Sequence, residues 1–486
     1  MAVEFGSSTE DGNNDNRWMC RCHTFHLVLL VAVSLVLGGV VGGLIGAYAV
    51  RNKAECITTT SSSTEHASGS IGFDEDAAEP NEEDKGNEPP PENTDFGQTH
   101  LDVVDVCASV RLQSGIADAS WNFPETGSWR LQKLEQVEEA WYVELSDNTL
   151  AVSGIIWEGQ TSTSSISMFR RSASATAMVR AASSSSSVWT PEETWQSNSS
   201  EGVRISLASD GGLLATGGYE QPIRVYRYNP ASSPSWSQFG QDIESPINGL
   251  DVFWPGRAGS TPLVAYCGPE RVVYVNAYNA TTETWEDQHI YPAIPADSID
   301  CSVALARDGR VLALGEEGYN SGQVRVFHYD EEGRSWSQVG QNLTESTHPY
   351  SSFGTTVKLS ESGNVLAVAS RRYNRSLGLV RIFSLDTDGE KWVQVGQDLT
   401  GSRQGGQFGW TMDLSRKGNV VAVGSRGEDP LARVYYLDAV SSKWVLSQEF
   451  NTNNNSPGVN SVSLSPDGTT IAIADWFKVH LYAFDV

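Results

Sequence analysis

A unit of about fifty residues recurs along this chain from residue 128 onward, and no other feature restricts the possible folds as strongly. Four copies align directly: VALARDGRVLAL (303–314), VKLSESGNVLAV (357–368), MDLSRKGNVVAV (412–423) and VSLSPDGTTIAI (462–473). Each runs up to a Leu or Ala, breaks at an Asp-Gly, Ser-Gly or Lys-Gly pair, and resumes with β-branched and small apolar residues. That pattern is a β-hairpin whose tight turn needs a positive φ.

A third strand follows in most units: IRVYRY from Ile223, VRVFHY from Val324, VRIFSL from Val380, ARVYYL from Ala432 and VHLYAF from Val479. A fourth surrounds a Trp, as in SWSQFGQDI (Trp236), SWSQVGQNL (Trp336) and KWVQVGQDL (Trp392). Four short antiparallel strands in fifty residues make one propeller blade. The anchors Leu207, Leu305, Leu359, Leu414 and Leu464 are spaced by 98, 54, 55 and 50 residues, so the first interval hides a degenerate unit. That unit holds LVAYCG (263–268), VVYVNAY (272–278) and Trp285, and an earlier one runs from VELSDNTLAV (143–152) through ISMFRR (166–171) to Trp195.

Seven units result, and the seventh stops after its third strand. SWRLQKLEQV (128–137), with Trp129 in the fourth-strand pattern, stands unattached before the first hairpin. The two halves complete one blade and close the ring, leaving no open sheet edge. An open solenoid would need capping repeats at both ends. The expectation is an all-β domain over 128–486, a seven-bladed propeller of four-stranded antiparallel blades. The repeat resembles those of the WD-repeat and FG-GAP families, and most closely the LSxDGxxLAVG…VRVY…WxQxGxxL repeats of predicted algal and diatom membrane proteins. The resemblance implies a fold more than a function. Regular Gly-His and Trp-Asp dipeptides are absent, and only Asp386-Thr387-Asp388-Gly389 approaches a calcium loop, where a hairpin turn explains it better.

Ahead of the repeats, residues 27–50 (LVLLVAVSLVLGGVVGGLIGAYAV) carry no charge over twenty-four positions, enough at ~1.5 Å per residue to cross a ~30 Å hydrocarbon core. The run is longer than a signal-peptide core of ~7–15 residues, so an uncleaved anchor is expected behind a cytoplasmic tail at 1–26. Arg17 and Arg21 before it nearly balance Arg51 and Lys53 after it, and the free amino terminus tips the topology to type II. Gly38, Gly39, Gly42, Gly43 and Gly46 give small-xxx-small spacings that suit a homodimer, or a span that simply tolerates glycine. Residues 51–127 read as a disordered stalk rich in acidic residues, Ser, Thr and Pro. Between 57 and 105, thirteen acids face the single base Lys85, too little apolar surface to offset ordering entropy.

The formal charge of −27 repels phosphate backbones, so no nucleic-acid partner is expected. No HExxH, GxSxG, GxxxxGK[ST] or paired CxxC occurs, and no catalytic residue, metal or cofactor is assigned. Sequons at Asn198, Asn279, Asn342, Asn374 and Asn454 all follow the span, as a lumenal domain would have them. Cys267 ends a second strand and Cys301 opens the next unit, so neighbouring blades bring them within reach of a disulfide in an oxidising compartment. The repeated Arg224, Arg325, Arg381 and Arg433 of the third strands read as paired structural charges. Binding residues belong in irregular loops. On the face shared by second-to-third-strand loops and blade connections stand Arg371, Arg372, Tyr373, Arg375, Arg403, Gln404 and Arg426, a basic cluster able to hold a carboxylate, sulfate or sugar acid, or else a solvated surface balanced by Glu428 and Asp429.

The sequence therefore suggests a membrane-anchored extracellular or lumenal propeller that binds protein or glycan. One alternative is a glycan hydrolase or lyase drawing on Glu316, Glu317 and Asp475, expected in second-to-third-strand loops at the central mouth. Another is a cytosol-facing scaffold.

Overall fold

The computed structural model describes residues 127–485 except 133, 135–139, 159–160, 172–188, 198–201, 219–220, 244–248, 255–260, 269–271, 289–297, 308, 319–320 and 453–455. The apolar span with its glycines, the tail and the stalk lie outside the described residues, as do Asn198 and Asn454. Among the described residues no helix is long and apolar enough to cross a membrane.

The described strands form seven antiparallel sheets, each with its strands in chain order except one. In that sheet the order is Ser128–Gln132, Val479–Asp485, Thr470–Asp475, Val459–Leu464, so the N-terminal strand completes the seventh blade. Its register pairs Ser128 with Asp485 and Gln132 with Leu481. The Trp129 indole donates to Ser447 Oγ of blade 6 at 3.0 Å and packs edge-on against Phe450 and Phe484. At the inner edge, Leu145 N of blade 1 donates to Ser463 Oγ of blade 7 at 2.9 Å.

Buried apolar residues collect between blades. Seven clusters recur, each drawing on two consecutive blades. The one joining the ends of the ring combines Ala472, Ala474 and Leu481 of blade 7 with Val143, Leu150 and Val152 of blade 1. Second strands such as Val365–Ser370 and Thr470–Asp475 are buried on both faces, which explains their unbroken apolar runs.

The repeated residues acquire specific tasks. The Ser after the Leu anchor accepts from the backbone across the hairpin, Val365 N to Ser360 Oγ, Val420 N to Ser415 Oγ and Thr470 N to Ser465 Oγ at 2.9–3.1 Å. The second Gln of the WxQxGQ segment clasps the Trp backbone of the next blade. Gln397 Nε2 donates to Trp444 O at 2.7 Å and its Oε1 accepts from Trp444 N at 3.1 Å, while the Trp444 indole donates to Val395 O. Gln241 with Trp285, and Gln341 with Trp392, repeat the clasp. Gly396 sits at φ 72°, and a Cβ there would lie 2.6 Å from Trp444 Cδ1. Gly396→Ala is accordingly expected to cost about 2 kcal/mol, read as a lowered denaturant midpoint, from left-handed strain plus loss of the clasp.

The third-strand arginines are all paired: Arg224 with Asp242, Arg325 with Glu316, Arg381 with Asp398 and Glu345, and Arg433 with Asp429 and Glu449. In blade 7 His480 takes that place and meets Asp475. Asp386 and Gly389 form a hairpin turn, with Gly389 N donating to Asp386 O at 3.0 Å.

Candidate functional site: an arginine and tryptophan circuit at the channel mouth

In each blade the first strand begins, and the second strand ends, on one face of the ring. Residues from six blades meet there around the axis. Trp141 at the start of blade 1 contacts Trp476, which follows the second strand of blade 7, with centroids 5.0 Å apart. The Arg426 guanidinium of blade 6 lies 5.1 Å from the Trp476 centroid and 4.5 Å from that of Trp410. Arg371 of blade 5 lies over Trp410 at 4.9 Å and donates to both oxygens of Glu317 in blade 4 at 2.8 and 2.9 Å. Asp300 of blade 4 feels Arg204, Glu317 and Arg371, and burial raises its pKa against the pull of Arg204. Arg204 of blade 2 lies over the Tyr142 ring at 5.7 Å, which returns the circuit to blade 1.

Of the candidate binding residues, Arg371 and Arg426 belong to this circuit. Arg372, Arg375, Arg403 and Gln404 stand exposed on the adjoining loops and form no ion pair among the described residues. Tyr373 is half-buried, with its ring centroid 4.2 Å from that of His348 and tilted 58° to it. The expected local balance is also different: Asp429 is buried against Arg433 and Ser402, and only Glu428 stays exposed.

Six of the nine non-glycine residues with positive φ lie in loops of this arc, namely Tyr350, Ser352, Asn374, Arg375, Ser376 and Gln407. Residues 374–376 make a left-handed turn held by Gly405 N to Arg375 O at 3.1 Å and Gln407 N to Ser376 O at 2.8 Å. Such backbone costs of order 1 kcal/mol per residue and persists where the surroundings over-determine it, commonly at binding sites.

Arg426 is held differently from every third-strand arginine. Its backbone N donates to Gly406 O at 2.9 Å and it bridges Gly458, but its guanidinium has no carboxylate partner among the described residues. Burial first, and then Arg371, lowers its pKa. Within the same cluster the buried Trp476 Nε1 has no acceptor among the described residues.

Below the mouth, the residue before each Leu anchor, or before Val252 in blade 3, forms a belt around the channel, with Glu144, Ser206, Asp251, Ala304, Lys358, Asp413 and Ser463 supplied by successive blades. Asp413 Oδ2 accepts from Leu464 N at 2.7 Å and from Ser463 Oγ at 3.1 Å. Asp251 accepts from Leu305 N at 2.7 Å and Ser206 Oγ at 2.9 Å. Lys358 Nζ lies 3.5 Å from Asp413 Oδ1, and 30% of its side-chain surface remains accessible, as suits a narrow wet channel. Burial lowers the Lys358 pKa, but Asp413, Glu144 and Asp251 together outweigh it and hold the ammonium charged. Burial pushes Glu144 up to about 8 despite Lys358, with Asp413 and Asp251 adding to the rise. Among the described residues no group of three His, Cys, Asp or Glu side chains is arranged to hold a metal.

The carboxylates considered for glycan hydrolysis are placed otherwise than expected. Glu316 and Glu317 belong to the strand Val311–Gly318 and Asp475 ends Thr470–Asp475, so they are not in loops, and all three are in ion pairs. Cys267, the last residue of Leu263–Cys267, is joined to Cys301 by a disulfide with Cα atoms 6.3 Å apart. Cys301 lies inside the strand Ser298–Leu305 rather than opening it. Asn279 Oδ1 accepts from Thr281 N at 2.9 Å in a hairpin turn, and Asn342 Nδ2 donates to Gln323 Oε1 at 3.2 Å.

Trp141, Tyr142, Arg204, Trp410, Trp476 and the belt escaped the sequence reading, although a signal for several of them exists. Trp141 and Trp410 each stand four residues before a Leu anchor, and Glu317, Arg371, Arg426 and Trp476 each stand twelve after one. Those columns vary in charge and size while their neighbours repeat.

No protein-family model matches the chain, and no curated protein sequence matches it. Among solved structures it is similar to the crystal structure of the β-propeller domain of Cps50 (Swd1) from Myceliophteria thermophila, with a TM-score of 0.50 and 12% identity over 73% of this chain and 99% of that one. At that identity the likeness shows the propeller fold alone.

Proposed function

We propose that this chain is a single-pass type II membrane protein whose propeller, on the extracellular or lumenal side, binds a protein ligand through the mouth face. The observation that carries the binding reading is Arg426, a half-buried cation between two tryptophans with no anion of its own among the described residues. The uncharged run 27–50 supports the anchor. The disulfide between Cys267 and Cys301 supports an oxidising side, since such bonds are rare in reducing compartments. The glycines from Gly38 to Gly46 would pair two spans into a homodimer.

The topology is tested on membranes from expressing cells. The propeller should resist added protease until the membrane is opened, and should lose mass on deglycosylation. A digested, unglycosylated domain would instead favour the cytosolic scaffold. Binding through the mouth is tested by Trp410→Ala with Arg371→Gln, which should release a bound partner while leaving the thermal transition cooperative.

A further inference from the structure

Resting on the mouth-face reading, we propose that the ligand is an acidic polypeptide segment, one carboxylate of which is held by Arg426 between Trp410 and Trp476. The Arg426 backbone is fixed by its bond to Gly406 O and by the flanking bonds Gly427 N to Pro457 O and Val459 N to Ser425 O, and its guanidinium lies against two rings, which lowers the ordering cost of binding. Of the acids on the face, Glu317 is committed to Arg371 and Asp429 to Arg433, while the exposed Glu428 makes no ion pair with Arg426. An arriving carboxylate matches the forked donor geometry and offsets both the burial and the repulsion from Arg371. Trp476 Nε1, a buried donor without an acceptor among the described residues, lies in the same cluster.

The length of the ligand follows from what surrounds that anchor. Arg372, Arg375 and Arg403 are exposed, lack ion pairs among the described residues, and extend positive charge along blades 5 and 6 of a chain whose net charge is −27. A single small anion would leave that track unused, whereas an extended acidic segment would lie along it. An acidic glycan is less well served. Two guanidiniums lie over Trp410, Trp476 is contacted by Arg426 and Trp141, and Tyr373 meets His348, so a stacking sugar would compete with partners that these rings already have.

The test titrates the full chain, in detergent micelles, with a ten-residue oligo-glutamate while following tryptophan fluorescence. An oligogalacturonate of similar charge forms the parallel arm. Oligo-glutamate should bind, weaken as salt rises, and bind at least tenfold more weakly to Arg426→Gln. Arg426→Lys, which keeps charge and loses the fork, should fall between and covers the case in which the first variant misfolds. The triple change R372Q/R375Q/R403Q should flatten the salt dependence and leave an Arg426-dependent residue of affinity.

Binding of oligogalacturonate but not oligo-glutamate would overturn the proposal and leave the mouth-face reading standing. Oligo-glutamate binding lost in the triple variant but untouched by both Arg426 variants would likewise overturn only the anchor. If neither probe binds and the Trp410→Ala, Arg371→Gln variant keeps its partner, both readings fall.

Discussion

Replacing Lys358 by Met should destabilise the propeller by about 3 kcal/mol at pH 8 and much less at pH 5. Lys358 is the cation that Glu144, Asp251 and Asp413 all face within the channel belt. Its removal leaves carboxyls whose charged forms are poorly hydrated, and acid relieves that by protonating them. The sign follows from Glu144. Its folded pKa of about 8 lies above the ordinary glutamate value of 4.5, so its contribution is fully present below about pH 4.5 and is lost as pH rises through about 8. Burial raises Asp251 in the same sense. The stability from the upward shift of Lys358 is fully present below its ordinary 10.5 and is lost only above that, so it adds no slope within this window.

Two comparisons isolate the cause. Glu144→Gln in the native background should raise stability at pH 8 and flatten the slope between pH 4.5 and 8. Adding Glu144→Gln to Lys358→Met should recover part of the loss at pH 8. Denaturant unfolding across that range measures both, and an equal loss at pH 5 and pH 8 would show that the belt is not held by charge.

Deleting residues 1–132 should abolish the cooperative unfolding transition, whereas deleting 1–126 should preserve it. The five residues Ser128–Gln132 pair with the whole of the last strand and place Trp129 among Phe450, Phe484 and Ser447. Without them, Val479–Asp485 becomes an open edge and the cluster between blades 6 and 7 loses its outer wall. A ring transmits that loss, because every blade is stabilised by its neighbours rather than by a core of its own. The two truncations should differ in near-ultraviolet circular dichroism and in elution volume. Indistinguishable transitions would mean that the ring survives with its last blade incomplete.

The architecture was readable because it is periodic. A hairpin needs its glycine wherever it occurs, and Gly309, Gly363, Gly418 and Gly468 all turn at φ between 70° and 75°. The orphan Trp129 strand announced the closure because the last unit lacked that element. The mouth was only half legible. Arg371 and Arg426 could be found as irregular charges in a loop, but Arg371 is bound to Glu317 from the preceding blade, which its local sequence does not indicate. Tyr373 reads in sequence as a free aromatic and is packed on a histidine supplied by the previous connection.

What the sequence by itself determined is therefore the repeating, nearest-neighbour part: strand period, turn residues, number of blades and the strand that closes them. These depend on contacts within one unit or between adjacent ones, and repetition writes each contact several times. Only the tertiary structure decided which non-repeating side chains share the axis. Glu144, Asp251, Lys358 and Asp413 come from blades 1, 3, 5 and 6, separated by more than a hundred residues in two of the three intervals, and meet because seven blades close on a common centre. The same closure leaves Arg426 between two tryptophans without a carboxylate partner among the described residues, while Asp429, three residues on, is drawn to Arg433.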